Sequence, residues 1–178
     1  LTLQSFAQYQ YLFTVDSARI MMLQAKENRI KFEAMRRLDR YYYTTGLYDS
    51  SANLEKTMYA FASNQKNDTM LYLLFRSIGN RYTTRTDYNF GLENYFTALR
   101  YAPTDSTKAG LYQNLAYVYC VTENNEVALG YLKKAETIGI SNAFFQNLLY
   151  GIVYNNLNKP DSALFYLKRA DESDTRSY

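Results

Sequence analysis

The side chains that most often carry out catalysis are scarce in this chain. It holds no histidine and a single cysteine, Cys120, so histidine bases, histidine or multi-cysteine metal sites and an intramolecular disulfide are excluded. A nucleophilic thiol needs a neighbour that lowers its pKa, and neither Tyr119 nor Val121 provides one. The seven glycines are isolated from one another, so there is no glycine-rich phosphate loop. We therefore predict that the protein is not an enzyme, that it holds no metal or cofactor, and that Cys120 packs between helices.

Charged side chains are the remaining candidates for chemistry. The chain has 20 lysines and arginines against 17 aspartates and glutamates, a net charge of +3. Nucleic-acid recognition usually needs a concentrated basic surface, whereas the arginines here are scattered. They include Arg19, Arg36, Arg40, Arg76, Arg100 and Arg169. We therefore expect no nucleic-acid partner. Polar residues also interrupt every apolar stretch before the ~18 residues of a membrane span, so no span is expected.

The 20 tyrosines have two interpretations. Aromatic side chains in a row can stack on nucleic-acid bases. They can also pack between helices while the hydroxyl stays near the edge of the contact. Helical spacing favours the second interpretation, because a repeated pattern places several of these tyrosines at equivalent positions.

That pattern consists of similar amphipathic helical segments that occur four times in the sequence. The segments are "DSARIMMLQAKE" from Asp16, "DSSANLEKTMYA" from Asp49, "NEVALGYLKKAE" from Asn125 and "PDSALFYLKRADE" from Pro160. Small residues recur with it at intervals of 37 and 35 residues, at Gly91, Ala128 and Ala163, and seven positions later at Ala98, Ala135 and Ala170. Twelve positions before them stand Gly79, Ala116 and Gly151, followed three residues on by Tyr82, Tyr119 and Tyr154. Small residues at these places would let paired helices approach closely, and the tyrosines would fill the space between successive hairpins.

These residues resemble the tetratricopeptide repeat, a helical hairpin of about 34 residues with the signature W-x2-L-G-x2-Y, A-x3-F and P. The best match is Tyr112, Leu115, Ala116 and Tyr119, then Ala128, Leu132 and Ala135. The following unit has Tyr150, Gly151, Tyr154, Ala163, Leu167 and Ala170, and the preceding one has Phe75, Ile78, Gly79, Tyr82, Gly91, Tyr95, Ala98 and Pro103. A degenerate unit precedes these, with Leu38 and Tyr42, Asp39 in place of the first small residue, Ser51 at the second, and Met58 in place of the second alanine. Ala18, Met22 and Ala25 resemble a further second helix, whose first helix would include Tyr9.

The resemblance implies an all-α fold, a right-handed superhelix of stacked helical hairpins in one array over residues 1–178. Its parts would be a partial unit at 1–28, a degenerate unit at 30–65 and units at 70–103, 105–138 and 141–171. Boundary residues agree. Pro103 would end one helix, Asp105 or Ser106 would cap the next, Ser141 would cap another, and Pro160 suits a first helical turn.

Function follows from the fold only as a class. A helical solenoid offers an extended concave surface that holds a peptide or a partner domain, so the first expectation is a non-enzymatic scaffold for protein–protein interaction. The alternative is a sensory or regulatory segment of a larger bacterial signalling or transcription-regulating protein, because the segment "PDSALFYLKRA" is similar to repeats in such proteins. That similarity alone favours an extracytoplasmic bacterial setting, with a cytoplasmic one left open. An enzyme or an RNA-binding solenoid is disfavoured by the missing histidines and the low net charge.

The resemblance also implies where a ligand would bind. In the family the first helix of each unit lines the groove, away from the small residues. That spacing selects Arg36, Arg40, Tyr43, Arg76, Asn80, Thr83, Thr84, Gln113, Tyr117, Leu148, Ile152 and Asn155. Arg76 with Asn80 resembles part of a clamp for acidic peptide ends, with Thr83 and Gln113 departing from it. The other interpretation is that these are solvated polar residues, or that the arginines are ion-paired with Glu33 or Asp87.

One end of the chain has a different character. The helix from Pro160 carries Leu164, Phe165 and Tyr166, although a terminal unit normally presents a polar outer face. We therefore expect this end, residues 160–178, to contact a further helix or another molecule, including a second copy of the chain.

Overall fold

The computed structural model describes residues 15–174, and within that range the only regular secondary structure is α-helix. The helices are α1 (Val15–Gln24), α2 (Asn28–Thr44), α3 (Tyr48–Asn64), α4 (Asp68–Thr84), α5 (Tyr88–Tyr101), α6 (Asp105–Val121), α7 (Asn125–Ile138), α8 (Ala143–Asn156) and α9 (Pro160–Asp174). The all-α prediction is confirmed for these residues. We call the pairs α2–α3, α4–α5, α6–α7 and α8–α9 hairpins; they overlap the predicted units at 30–65, 70–103, 105–138 and 141–171, and the division of the chain into repeat units stays a prediction. The helix predicted around Tyr9 lies outside the described residues.

Local signals explain where several helices begin. The side chain of Thr104 accepts a hydrogen bond from the Thr107 amide, and the Thr107 hydroxyl accepts one from the Thr104 amide, which completes a capping box at α6. Asn142 caps α8 by accepting from the Phe145 amide at 2.9 Å. The caps are thus Thr104 and Asn142 rather than the predicted Asp105 or Ser106 and Ser141. Pro160 opens α9 as predicted, where its missing N–H costs nothing.

The first helix of each hairpin ends in the same way. At the end of α4 the amide of Asp87 donates to the carbonyl of Tyr82 and the amide of Thr86 donates to that of Thr83, a Schellman arrangement. The same pair of bonds recurs after α2, α6 and α8, and Tyr42, Tyr119 and Tyr154 take the place of Tyr82. Each turn contains one residue with positive φ, namely Gly46 (79°), Thr86 (62°), Glu123 (61°) and Asn158 (55°). The main-chain carbonyl of the repeated tyrosine therefore accepts the hydrogen bond that closes the end of each first helix.

The chain divides into two compact units, with the boundary after Leu74 inside α4. The first described unit contains α1, α2, α3 and the beginning of α4. The second contains the remainder of α4 and the helices through α9. Within the first unit α1 packs against α2 and α2 against α3. Within the second unit consecutive helices from α5 to α9 pack against one another, and α6 also contacts α8.

Paired helices in the second unit run antiparallel. On α4 and α5, Phe75 stacks on Tyr101 and Tyr82 stacks on Phe90, so a later residue of one helix meets an earlier residue of the other. On α8 and α9 the same order holds, with Asn147 near Ser173 and Tyr154 stacked on Tyr166. These ring contacts join the two helices of one hairpin, so Tyr82 and Tyr154 stack on rings of their own hairpin and not on the next one as predicted.

Within the second unit, successive hairpins contact one another at equivalent positions. Gln113 of α6 donates to Gln146 of α8 at 3.0 Å, and Phe96 of α5 packs on Tyr131 of α7 with ring centroids 6.4 Å apart. Each of these contacts joins residues 33 or 35 positions apart, close to the sequence period. In the second unit the first helix α6 therefore packs on the first helix α8, and the second helix α5 contacts the second helix α7, as in an α-helical repeat protein.

The small residues of the repeat lie where the paired helices touch. Ala116 and Ala128 are completely buried. A Cβ on Gly79 would come within 2.7 Å of the Tyr95 ring, and one on Gly151 within 2.6 Å of Leu167. The predicted close approach of the paired helices is confirmed.

The degenerate unit makes the same contact with polar atoms. Asp39 and Ser51, which stand at the two small-residue positions, are both buried, and the Ser51 hydroxyl donates to the Asp39 carboxylate at 2.6 Å. A buried carboxylate is tolerated only with hydrogen bonds, and here the facing helix supplies one.

Candidate functional site

In the second unit the first helices line one open cleft of about 230 Å³. Its walls come from α4, α6 and the start of α8. The lining residues are Arg76, Asn80, Gly110, Gln113, Asn114, Ser141, Asn142 and Phe145. The cleft includes Arg76, Asn80 and Gln113 from the predicted set, and we call it the α4–α6–α8 cleft.

Gln113 is held by the protein itself. Its side chain is 2% exposed, and its amide group donates to the Asn142 carbonyl at 2.8 Å and to Gln146 at 3.0 Å. Gln146 in turn donates to the carbonyl of Leu132 at 2.8 Å. Both amide protons of Gln113 are therefore used inside the fold, so this residue sets the register of α6 against α8 instead of offering its amide to a ligand.

Asn80 also serves a neighbouring helix. Its side-chain oxygen accepts from the Tyr95 hydroxyl at 2.8 Å and from Asn114 at 3.5 Å. Burial raises the pKa of Tyr95, and nearby Thr83 and Arg76 act in the opposite direction. Thr83 is buried, with its hydroxyl facing Gly91 on α5. Asn80 is therefore exposed and reaches the cleft, whereas Thr83 lies in the contact between α4 and α5.

The other predicted residues of the second unit are more accessible. Tyr117 is 37% exposed and packs on Phe145, and Ile152 is 39% exposed. Asn155 is exposed and Leu148 is half-buried. Thr84 is exposed, and its hydroxyl donates to the carbonyl of Asn80. The structure thus leaves an aromatic and an aliphatic side chain open on the first helices α6 and α8.

The predicted residues of the first unit lie on α2. Arg36 is half-buried and forms an ion pair with Glu33 at 2.7 Å, as one of the two sequence interpretations expected. Arg40 is exposed, and Tyr43 packs its ring edge on Tyr48. Arg76 belongs to the second unit, so the predicted convergence of these arginines on one groove stays a prediction.

The first unit has its own cleft on the face of α2 that carries Arg36 and Arg40; family spacing selects these two arginines but not the rest of the cleft. A hollow of about 560 Å³ is lined by Arg29, Phe32, Glu33, Arg37, Asn67, Thr69, Met70 and Leu73. A smaller one of about 260 Å³ adjoins it, lined by Glu33, Arg36, Arg37 and Arg40. We call the two together the arginine cleft. Its signal was present in the sequence, because positions 29, 33, 36, 37 and 40 share one helical face.

Asp87, the other acidic residue considered for the arginines, has a different role. Its side chain accepts from the Phe90 amide at 3.5 Å and caps α5. Cys120 is buried, as predicted, and burial raises the pKa of its thiol, which keeps it protonated and unreactive.

Two further features, a metal-binding group and a membrane span, are absent from the described residues. In the range 15–174 no group of three or more acidic or cysteine side chains is arranged to hold a metal ion. Across the same range, no helix combines the length and the apolar character needed to cross a bilayer.

The last described helix has an exposed apolar face. Leu164 is 55% exposed, Phe165 54% and Leu167 40%. The residues of α7 that are equivalent to the two leucines, Leu129 and Leu132, are buried in the cluster that α8 completes. We call Leu164, Phe165 and Leu167 the α9 apolar face.

Neither a protein-family model nor a curated protein matches the chain, so these comparisons do not assign it to a family.

Proposed function

We propose that this protein is a non-enzymatic scaffold that holds a peptide or a partner domain against the first helices of its hairpins. The hairpins are interpreted as tetratricopeptide repeats that stack into a right-handed superhelix. The observation that carries the proposal is the α4–α6–α8 cleft, where consecutive first helices line one open surface. Exposed Tyr117 and Ile152 lie on the same two helices, α6 and α8.

The composition of this surface suits a peptide. Asn80 and Asn114 present side-chain amides that can bond an extended main chain, and Arg76 supplies a guanidinium for a carboxylate. Tyr117 and Ile152 supply the aromatic and aliphatic contacts that usually carry most of the affinity at such interfaces.

A peptide library displayed on phage and selected on the immobilised protein tests the proposal. The affinity of an enriched peptide is then measured for the parent and for the double variant Tyr117→Ala and Ile152→Ala. We expect the variant to bind at least about tenfold more weakly, since anchors of this kind each contribute on the order of 1 kcal/mol or more.

The matched control removes an aromatic and an aliphatic side chain from second helices. Phe90→Ala and Val127→Ala alter residues that are 52% and 44% exposed on α5 and α7. This control should bind the peptide as the parent does. A selection that enriches nothing, or a peptide whose affinity responds equally to both double variants, contradicts the proposal.

A further inference from the structure

We propose that the arginine cleft of the first unit is a binding site for an acidic peptide segment, one in which a carboxylate side chain stands next to an apolar side chain. The inference rests on the proposed function because it takes the ligand to be a peptide. To that function it adds a second binding site and the chemical character of the peptide bound there.

The first step concerns charge. One carboxylate, Glu33, accepts hydrogen bonds from both Arg36 at 2.7 Å and Arg37 at 3.3 Å. Arg29 and Arg40, on the same helical face, make no hydrogen bond or ion pair with any described residue. Four arginines and one glutamate line the two hollows, which gives the lining a charge of about +3 along three turns of α2, where like charges one turn apart repel.

One arginine of the cleft has a buried donor without a partner. Nε of Arg36 is buried and has no hydrogen-bond partner in the described part of the chain. Leaving a buried donor unbonded is unfavourable, and an added carboxylate would let Arg36 and Arg37 redistribute the bonds they now share on Glu33. Carboxylates suit this face because a guanidinium binds both of their oxygens at once.

The second step concerns the floor of the cleft. Phe32 is 2% exposed and Met70 is 6% exposed, and half-buried Leu73 lies beside them. A hollow of about 560 Å³ over an apolar floor has room for a side chain of leucine or methionine size, together with its neighbours. Methionine adapts its shape to apolar ligands, which suits a site that receives a side chain.

The two steps together favour a peptide over a nucleic acid. A phosphate backbone would use the arginines but would bring no aliphatic group to the floor, and its affinity comes from many phosphate contacts. A peptide that alternates acidic and apolar residues uses both parts of the cleft.

The probe is a synthetic blocked pentapeptide of alternating glutamate and leucine, and its binding to the full chain is followed by calorimetry and NMR titration. Its partner probe has glutamine in place of every glutamate. We expect the acidic probe to bind and the glutamine probe to bind at least about tenfold more weakly. Binding of the acidic probe should weaken as salt is added, because ion pairs at an open site are screened.

Protein variants locate the binding. Arg29→Gln with Arg37→Gln should reduce the affinity for the acidic probe about tenfold or more, and Arg29→Gln alone should reduce it severalfold without removing any internal hydrogen bond. Lys56→Gln with Lys133→Gln lowers the net charge equally at exposed positions outside the cleft and should leave the affinity unchanged. Far-ultraviolet circular dichroism melts confirm that each variant is folded.

Three results would overturn the inference: no binding of the acidic probe to the parent, equal weakening by the arginine and lysine pairs, or tighter binding of a short oligonucleotide than of the probe. None of these depends on the α4–α6–α8 cleft. The variant Tyr117→Ala and Ile152→Ala should still bind the acidic probe, so the arginine cleft can fail while the scaffold function stands, and the reverse also holds.

Discussion

At the scale of single residues, the fold depends on the small side chains at the helix contacts. Ala116 is completely buried, and Gly151 faces Leu167 so closely that even a methyl group would meet it at 2.6 Å. Gly130 is a glycine of the opposite kind, because a Cβ there would meet nothing within 4 Å. The chain therefore contains its own comparison between a glycine that packing requires and one that packing does not.

Replacing Ala116 or Gly151 by leucine should destabilise the protein by about 1–3 kcal/mol or more, because the added atoms force the paired helices apart. Thermal and urea unfolding of the full chain measure the change. Gly130→Leu should be neutral or stabilising by up to about 1 kcal/mol, since glycine is a poor helix former and the site is open. Equal melts for all three variants would show that the helix contacts do not tighten at Ala116 and Gly151.

At the scale of the helices, the turn that ends α4 holds a β-branched residue in a strained conformation. Thr86 has φ of 62°, a left-handed conformation that is unusual for any residue with a Cβ and most unfavourable for a β-branched one. The equivalent turn after α2 has Gly46 at this position, with φ of 79°. The turn geometry is thus kept even where the residue does not favour it, because the Schellman bonds and the packing of both helices hold it.

Thr86→Gly should stabilise the protein by up to about 1 kcal/mol, since relief of the left-handed strain exceeds the entropy that glycine gains in the unfolded chain. Urea denaturation compares it with the parent. Thr57→Gly, at an exposed position inside α3, should instead cost a few tenths of a kcal/mol from helix propensity alone. A loss of stability in Thr86→Gly would mean that the threonine side chain itself supports the turn.

The helices and their pairing could be predicted from the sequence because they depend on spacing. Small residues with the same spacing inside each unit recur in the units at 70–103, 105–138 and 141–171, and Pro160 is a local signal for the start of α9. The caps were misplaced by one or two residues, since threonine, serine, asparagine and aspartate cluster at those boundaries and all of them can cap.

The candidate site was harder to predict because it depends on which polar side chains the fold uses internally. Gln113 and Thr83 resemble groove residues in spacing, yet one bonds Asn142 and Gln146 and the other lies buried against Gly91. Only two of the four arginines of the arginine cleft were predicted, because family spacing selects Arg36 and Arg40 but not Arg29 and Arg37. Which arginines share a hollow becomes visible only when α2 and the start of α4 are placed together.

At the scale of the whole molecule, the α9 apolar face repeats a surface that is covered one unit earlier. Leu132 of α7 is completely buried, and α8 reaches it through Gln146, which donates to its carbonyl. Its equivalent, Leu167 of α9, is 40% exposed, and Leu164 and Phe165 beside it are more than half exposed. Burying such a face against another molecule is favourable because it removes apolar surface from water.

We therefore expect the protein to self-associate through this face, with sedimentation velocity showing a shift from monomer to dimer as its concentration rises through the micromolar range. Leu164→Glu with Phe165→Glu should keep it monomeric over the same range, because burying two carboxylates without partners is costly. Neither change touches the tight contact of Leu167 with Gly151, so the helix pair should stay folded.

Ile20→Glu with Leu23→Glu, at residues of α1 that are 53% and 76% exposed, adds the same charge elsewhere. If this control suppresses association as strongly as the α9 variant, net charge rather than the α9 face governs self-association. If the parent remains monomeric at every concentration, the face does not bind a second copy.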